Sequence, residues 1–165
     1  MTAFTISEHR RFMALLLTRP AFDRWSISEG SVTTFCTFSI EGAWQRSFLD
    51  PNGTNPDACR SYAPWGMLRE HCLSLIRGKQ VPLSFKFVLR YPEEDLPAFL
   101  AENDLNMASG DINGLYMNIS FRNGVLITTT GSSLKTFSMD KTLDHAWDSF
   151  TARFLEMNGI GFERA

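Results

Sequence analysis

The sequence has no excess of charge. Lys and Arg number 16, Asp and Glu 18, and the net charge is −2. No overall basic field therefore recruits nucleic acid. The halves differ only slightly: residues 1–80 hold nine basic and seven acidic side chains (+2), and residues 81–165 hold seven and eleven (−4). Cysteine is scarce. Cys36, Cys59 and Cys72 are odd in number and form no C-x-x-C pair. That excludes a disulfide framework and reads as free thiols in a reducing compartment. No apolar run approaches the roughly 18 residues of a membrane helix. Residues 1–7 have no basic start, and the apolar run at 12–17 is too short for a signal core. The expectation is a cytoplasmic protein, so the triplets Asn52-Gly53-Thr54 and Asn118-Ile119-Ser120 carry no glycosylation meaning. Neither G-x-G-x-x-G nor G-x-x-x-x-G-K-S/T occurs, which removes the familiar phosphate loops.

What is present is an ordinary globular composition, 44% hydrophobic and 13% aromatic, with 14 Phe. The length suits one domain, and residues 1–165 read as a single one. Residues 3–6 suit a short strand. Ser7 is a candidate N-cap for a helix whose apolar stripe is Phe12, Leu15 and Leu16, and Pro20 ends it. Period-two alternation then runs from Trp25 through Val32, Cys36, Phe38 and Ile40, with Thr34 and Phe35 out of step. Glu41-Gly42 suits a hairpin turn, and residues 44–49 suit the returning strand. Residues 50–60 are rich in Pro, Asn and Asp and read as a loop. Trp65, Leu68, Cys72, Leu75 and Ile76 share one helical face, with Pro64 in the first turn and Gly78 as the stop.

Leu83, Phe85, Phe87, Leu89 and Tyr91 alternate with Ser84, Lys86, Val88 and Arg90 in the clearest strand of the chain. Pro92 breaks it, and Asp95 suits the cap of a short helix over 96–102. Leu115, Met117, Ile119 and Phe121 line the next strand. Asn123-Gly124 tolerates the positive φ of a type I′ hairpin turn. A strand over 125–130, a turn at Gly131-Ser132 and a third strand over 133–139 complete the pattern. Asp140 then suits the cap of an amphipathic helix over 141–157 with core stripe Leu143, Ala146 or Trp147, Phe150 and Phe154.

This order predicts an α+β fold of two βαβββ-like units, residues 3–48 and 83–139, with antiparallel sheets, a linking helix at 64–77 and the closing helix. Two such units in tandem resemble the domain plan of sliding DNA clamps, which implies helices facing DNA. The segments Ser31-Val-Thr-Thr-Phe-Cys-Thr-Phe-Ser-Ile40, Ser74-Leu-Ile-Arg-Gly-Lys-Gln-Val-Pro-Leu-Ser-Phe85 and Thr130-Gly-Ser-Ser-Leu-Lys-Thr-Phe137 are similar to a small uncharacterised bacterial family, a domain of unknown function. That resemblance implies no activity, cofactor or catalytic residue.

The candidate sites divide by chemistry. Ser132-Ser133-Leu134-Lys135 matches S-x-x-K, yet that chemistry needs a helix start, and these residues lie between predicted strands. Metal binding would need His, Cys or carboxylates to converge. Adjacent His71 and Cys72 point about 100° apart on a helix, and His145 with Asp148 suits a surface pair, so no metal and no cofactor is expected. Glu93-Glu94-Asp95 suits the positive end of a helix. Thr128-Thr129-Thr130 suits an exposed strand. Trp44, Tyr62 and Trp65 suit either core or an interface. Three functions follow: a non-enzymatic interaction module with a protein partner or self-association, a clamp-like nucleic-acid binder using Arg10, Arg11, Arg69 and Lys79, or an enzyme built on Cys36, Cys59 or Cys72.

Overall fold

The structure, a computed structural model, describes residues 1–54 and 60–165. Strand β1 (Ala3–Ile6) leads to helix α1 (His9–Leu17) and a 3-10 turn (Pro20–Phe22), then to β2 (Ser26–Thr33), β3 (Thr37–Glu41) and one turn of helix, α2 (Arg46–Leu49). Helix α3 (Trp65–Ile76) precedes β4 (Ser84–Arg90), α4 (Leu96–Glu102), β5 (Ile112–Arg122), β6 (Val125–Leu134), α5 (Thr142–Met157) and β7 (Phe162–Arg164). The seven strands form one antiparallel sheet in the order β3-β2-β4-β5-β6-β1-β7. The fold is α+β.

Alternation makes one face of this sheet apolar. Phe85, Phe87 and Leu89 of β4 stand opposite Phe121, Ile119 and Met117 of β5. Phe4, Ile6, Ile27 and Val32 extend the same face. Helices α1, α3, α4 and α5 bury Phe12, Leu16, Trp65, Phe99, Leu143, Trp147 and Leu155 in a single core with it. Each large side chain buried this way contributes roughly 1.5–3 kcal/mol. The richness in Phe has a physical outcome: Trp25, Tyr91, Phe99, Trp147 and Phe150 form a cluster of mostly edge-to-face and tilted rings, with centroids 5.2–5.9 Å apart. The other face of the sheet carries exposed Glu29 and Lys86 beside half-buried Asn118 and Ser120.

Each predicted unit loses its third strand. Residues 44–49 do not return along β3. A Cβ on Gly42 would sit 1.6 Å from the Ile27 carbonyl oxygen, so the chain presses back onto β2, and Ala43 pairs with Tyr62 in an isolated bridge. No ladder is left for residues 44–49, and α2 forms instead. In the second unit Gly131-Ser132 is not a turn. Gly131 pairs with Tyr116, and β6 runs on to Leu134 because β5 begins early, at Ile112, and offers it partners. Residues 135–139 then lie outside the sheet. A turn does form at 34–36, where Thr34 donates to the Cys36 carbonyl (2.9 Å). The out-of-step Thr34 and Phe35 mark that turn, so the single predicted strand from Val32 to Ile40 is a hairpin.

Local signals hold elsewhere. Asn123 and Gly124 take φ of 51° and 76°, as a type I′ turn requires. Asp140 accepts the Thr142 amide at 2.9 Å, but it stands one residue before the N-cap of α5, which Lys141 takes. Ser7 does not cap α1: its amide goes to the Gly161 carbonyl, and Glu8 takes the N-cap position. Asp95 stands at the N-cap of α4, but its carboxylate binds Arg24 at 2.8 Å.

Candidate binding groove

At one end of the sheet, the first turn of α1, the last residues of α3, the start of β4 and the β5–β6 hairpin enclose an open groove of about 690 Å³. Met13, Ile76, Leu83, Phe85, Phe121 and Leu126 form its apolar wall, and His9 and Arg10 are the charged or titratable lining residues among those described. The sequence explains why it stays open. Pro82 has no amide for a ladder, and Leu83 precedes β4 and donates only to the Thr33 carbonyl (2.9 Å). Leu83, predicted as the first core residue of its strand, is therefore 69% exposed, and Val81 beside it is 74% exposed. The same hydrogen bond ties the end of β2 to the start of β4; Phe35, in the turn beyond and outside the groove's lining, is 92% exposed.

The residues predicted to meet phosphates are not equivalent. Arg10 is exposed on the groove wall and Lys79 is exposed just before Val81. Arg11 is held by the Gly159 carbonyl (3.0 Å) and Glu8 (3.7 Å). Arg69 is spent on Asp23, donating at 2.7 and 3.4 Å. The acidic run is likewise matched, Glu93 to Arg90 (3.3 Å), Glu94 to Arg60 (3.1 Å) and Asp95 to Arg24 (2.8 Å). The alternation that identified Leu83 as core was the misleading signal. The useful one was Val81-Pro82-Leu83, apolar residues placed before the first possible ladder position.

Three smaller polar clefts of about 270–330 Å³ lie along the first half of α5, two of them against β6 and one against Met1, Thr2 and Arg164. Ser132 donates to Asp144, which also meets Lys141 (3.2 Å). Burial works upward on the Asp144 carboxyl. The hydrogen bonds from Ser132 and Lys141, with the charge of Lys141, together outweigh it and hold the group below the usual carboxylate range. Asp148 is nearly buried and accepts from Thr130 and from Thr2 (2.6 Å). Thr128 and Thr130, predicted on an exposed strand surface, are buried beneath α5. Ser132 lies within β6, so S-x-x-K has no helix start here.

His145 is exposed, as is His71, whereas its neighbour Cys72 is buried and its thiol is pushed up to about 12 by desolvation. Cys36 is exposed. Cys59 and much of the predicted 50–60 loop lie outside the described residues. Trp65 is core and donates its indole N–H to the Leu16 carbonyl (2.8 Å). Trp44 and Tyr62 are half-buried. No group of three or more His, Cys, Asp or Glu converges as metal ligands among the described residues, and no described helix is long and apolar enough to cross a membrane.

No curated protein and no solved structure matches this chain. Residues 15–163 match the family of unknown function DUF5721, a span that takes in most of the core and both hairpins but begins after the first turn of α1, and the chain belongs to that family.

Proposed function

We propose that this protein is a non-enzymatic interaction module of the reducing cytoplasm and that the groove at the hairpin end of its sheet is the docking surface. One observation carries the reading: the groove is more than twice the volume of the polar clefts, and its rim leaves Val81 and Leu83 in water. A concave apolar wall with few polar groups is the usual form of a binding site. The polar clefts support the reading less well, because Asp144 and Asp148 already have internal partners. The thiol-enzyme reading has little support from Cys72, whose buried thiol is not ionised near neutral pH. The clamp-like reading loses Arg69 to Asp23. The free thiols of Cys36 and Cys72 suit a reducing compartment.

The test uses Nile red, a neutral dye whose emission shifts to the blue in apolar surroundings. Wild-type protein is expected to shift it, and Leu83→Asp, which places a charge on the rim, is expected to abolish the shift with an unchanged thermal midpoint. An equal dye response in both proteins would remove the groove from consideration.

A further inference from the structure

The end of the molecule that holds the groove is locally cationic although the chain is acidic overall. Three segments line it, residues 9–13, 76–85 and 121–126, and the β2–β3 turn is joined to the second by the Leu83 amide on the Thr33 carbonyl. None contains Asp or Glu. They carry Arg10, Arg77, Lys79 and Arg122, all exposed and none in an ion pair among the described residues. Glu8, just before the first of these segments, is occupied by Arg11 (3.7 Å) and the Gly161 amide (3.0 Å). From this charge pattern around an apolar wall we infer that the groove's occupant is an acidic amphipathic segment of another protein, its apolar side chains in the groove and its carboxylates on Arg10, Lys79 and their neighbours. The inference rests on the groove reading above.

Physical reasons disfavour the other occupants. A second copy would bring the same cations against this end, and like charges face to face oppose a two-fold contact. The acidic run of a second copy, Glu93 to Asp95, is already matched to its own arginines. A lipid chain needs most of its surface enclosed, and this groove is partly open to solvent, with Val81 and Leu83 exposed in its lining. Single-stranded nucleic acid needs free aromatic faces for its bases. The two rings of the wall, Phe85 and Phe121, stack on each other at 5.3 Å, and exposed Phe35 outside the lining is a single ring where successive bases need successive platforms. A peptide segment satisfies both halves of the surface, since apolar anchors at helical or alternating spacing enter such grooves while charges set orientation and specificity.

The test is selection from a displayed library of random 16-residue peptides on the wild-type protein, with excess soluble Leu83→Asp protein as competitor. Val81→Asp replaces that competitor if Leu83→Asp does not melt at the wild-type temperature. The expected result is a set of binders rich in Asp and Glu beside Leu, Ile or Phe. Their affinity should fall about tenfold in the Arg10→Glu/Lys79→Glu double variant and weaken as salt rises. Binders with no acidic bias, indifferent to that double variant, would overturn the inference and leave the groove reading standing. No enrichment over the competitor would overturn both. A mixed-sequence single-stranded oligonucleotide that displaces the peptides and binds more tightly would replace the acidic segment with nucleic acid.

Discussion

Asp148 concentrates more polar structure than any other side chain of α5. It is 9% exposed, and the hydroxyls of Thr130 and Thr2 converge on it, tying the helix to β6 and to the residue before β1. Replacing it with Ala leaves both hydroxyls without their acceptor. A loss of about 1–3 kcal/mol is expected, read as a thermal midpoint lower by roughly 2–4 °C for each kcal/mol in a chain of this size. One turn further along, the converse holds. Thr151 and, on β6, Thr128 are fully buried, and their hydroxyls have no hydrogen-bond partner. Val has the same shape without the desolvated hydroxyl, so Thr151→Val is expected to raise stability by about 1 kcal/mol. A fall in denaturant midpoint would show that the hydroxyl is satisfied.

Asp144 links the same region to pH. Its folded pKa lies below the ordinary value, so the stability it contributes is present above the unfolded carboxyl pKa and is lost as pH falls through the folded one. Ser132→Ala removes one of the hydrogen bonds that hold the carboxyl down. The variant should therefore lose less stability than wild type between neutral and acid pH, as denaturant melts at both would measure. Equal losses would assign no part of the pH dependence to this bond. Cys72 provides a kinetic counterpart. With its thiol buried and pushed up to about 12, a mild disulfide reagent applied to a Cys59→Ser variant should label Cys36 in the folded protein and Cys72 only on unfolding.

Among the elements, those with strong local signals were legible in the sequence. Residues 3–6, 96–102 and the Asn123-Gly124 turn form where periodicity and turn chemistry place them, because each depends on its own few residues. The third strand of each unit was not legible, since a strand exists only where a neighbour offers a ladder. Residues 133 and 134 found one by extending β5 backwards to Ile112, and residues 44–49 found none. Gly42 decides the latter. It reads locally as hairpin chemistry, yet what it provides is close approach to the Ile27 carbonyl oxygen. Gly42→Ala should cost about 3 kcal/mol through overpacking against rigid backbone, measured by chemical denaturation. A neutral substitution would mean that the 42–44 segment moves freely. The candidate groove was half legible. Arg10 and Lys79 were singled out for their charge, while Val81 and Leu83 were hidden by an alternation that treated Leu83 as core.

At the scale of the whole molecule α1, α3, α4 and α5 pack in one core with one face of the sheet, and the groove is at one end of it. There the sheet runs out before the apolar side chains do. The β5–β6 hairpin, the start of β4 and the first turn of α1 leave Val81 and Leu83 in water, with Arg10 on the same wall and Lys79 just before Val81. A net charge of −2 conceals this local arrangement. The most direct measurement is an equilibrium titration of the strongest selected peptide against wild type and Leu83→Asp, with thermal midpoints recorded for both. The groove account predicts affinity weaker by about tenfold or more in the variant, corresponding to about 1.4 kcal/mol, at an unchanged midpoint. Equal affinity in the two proteins would contradict it.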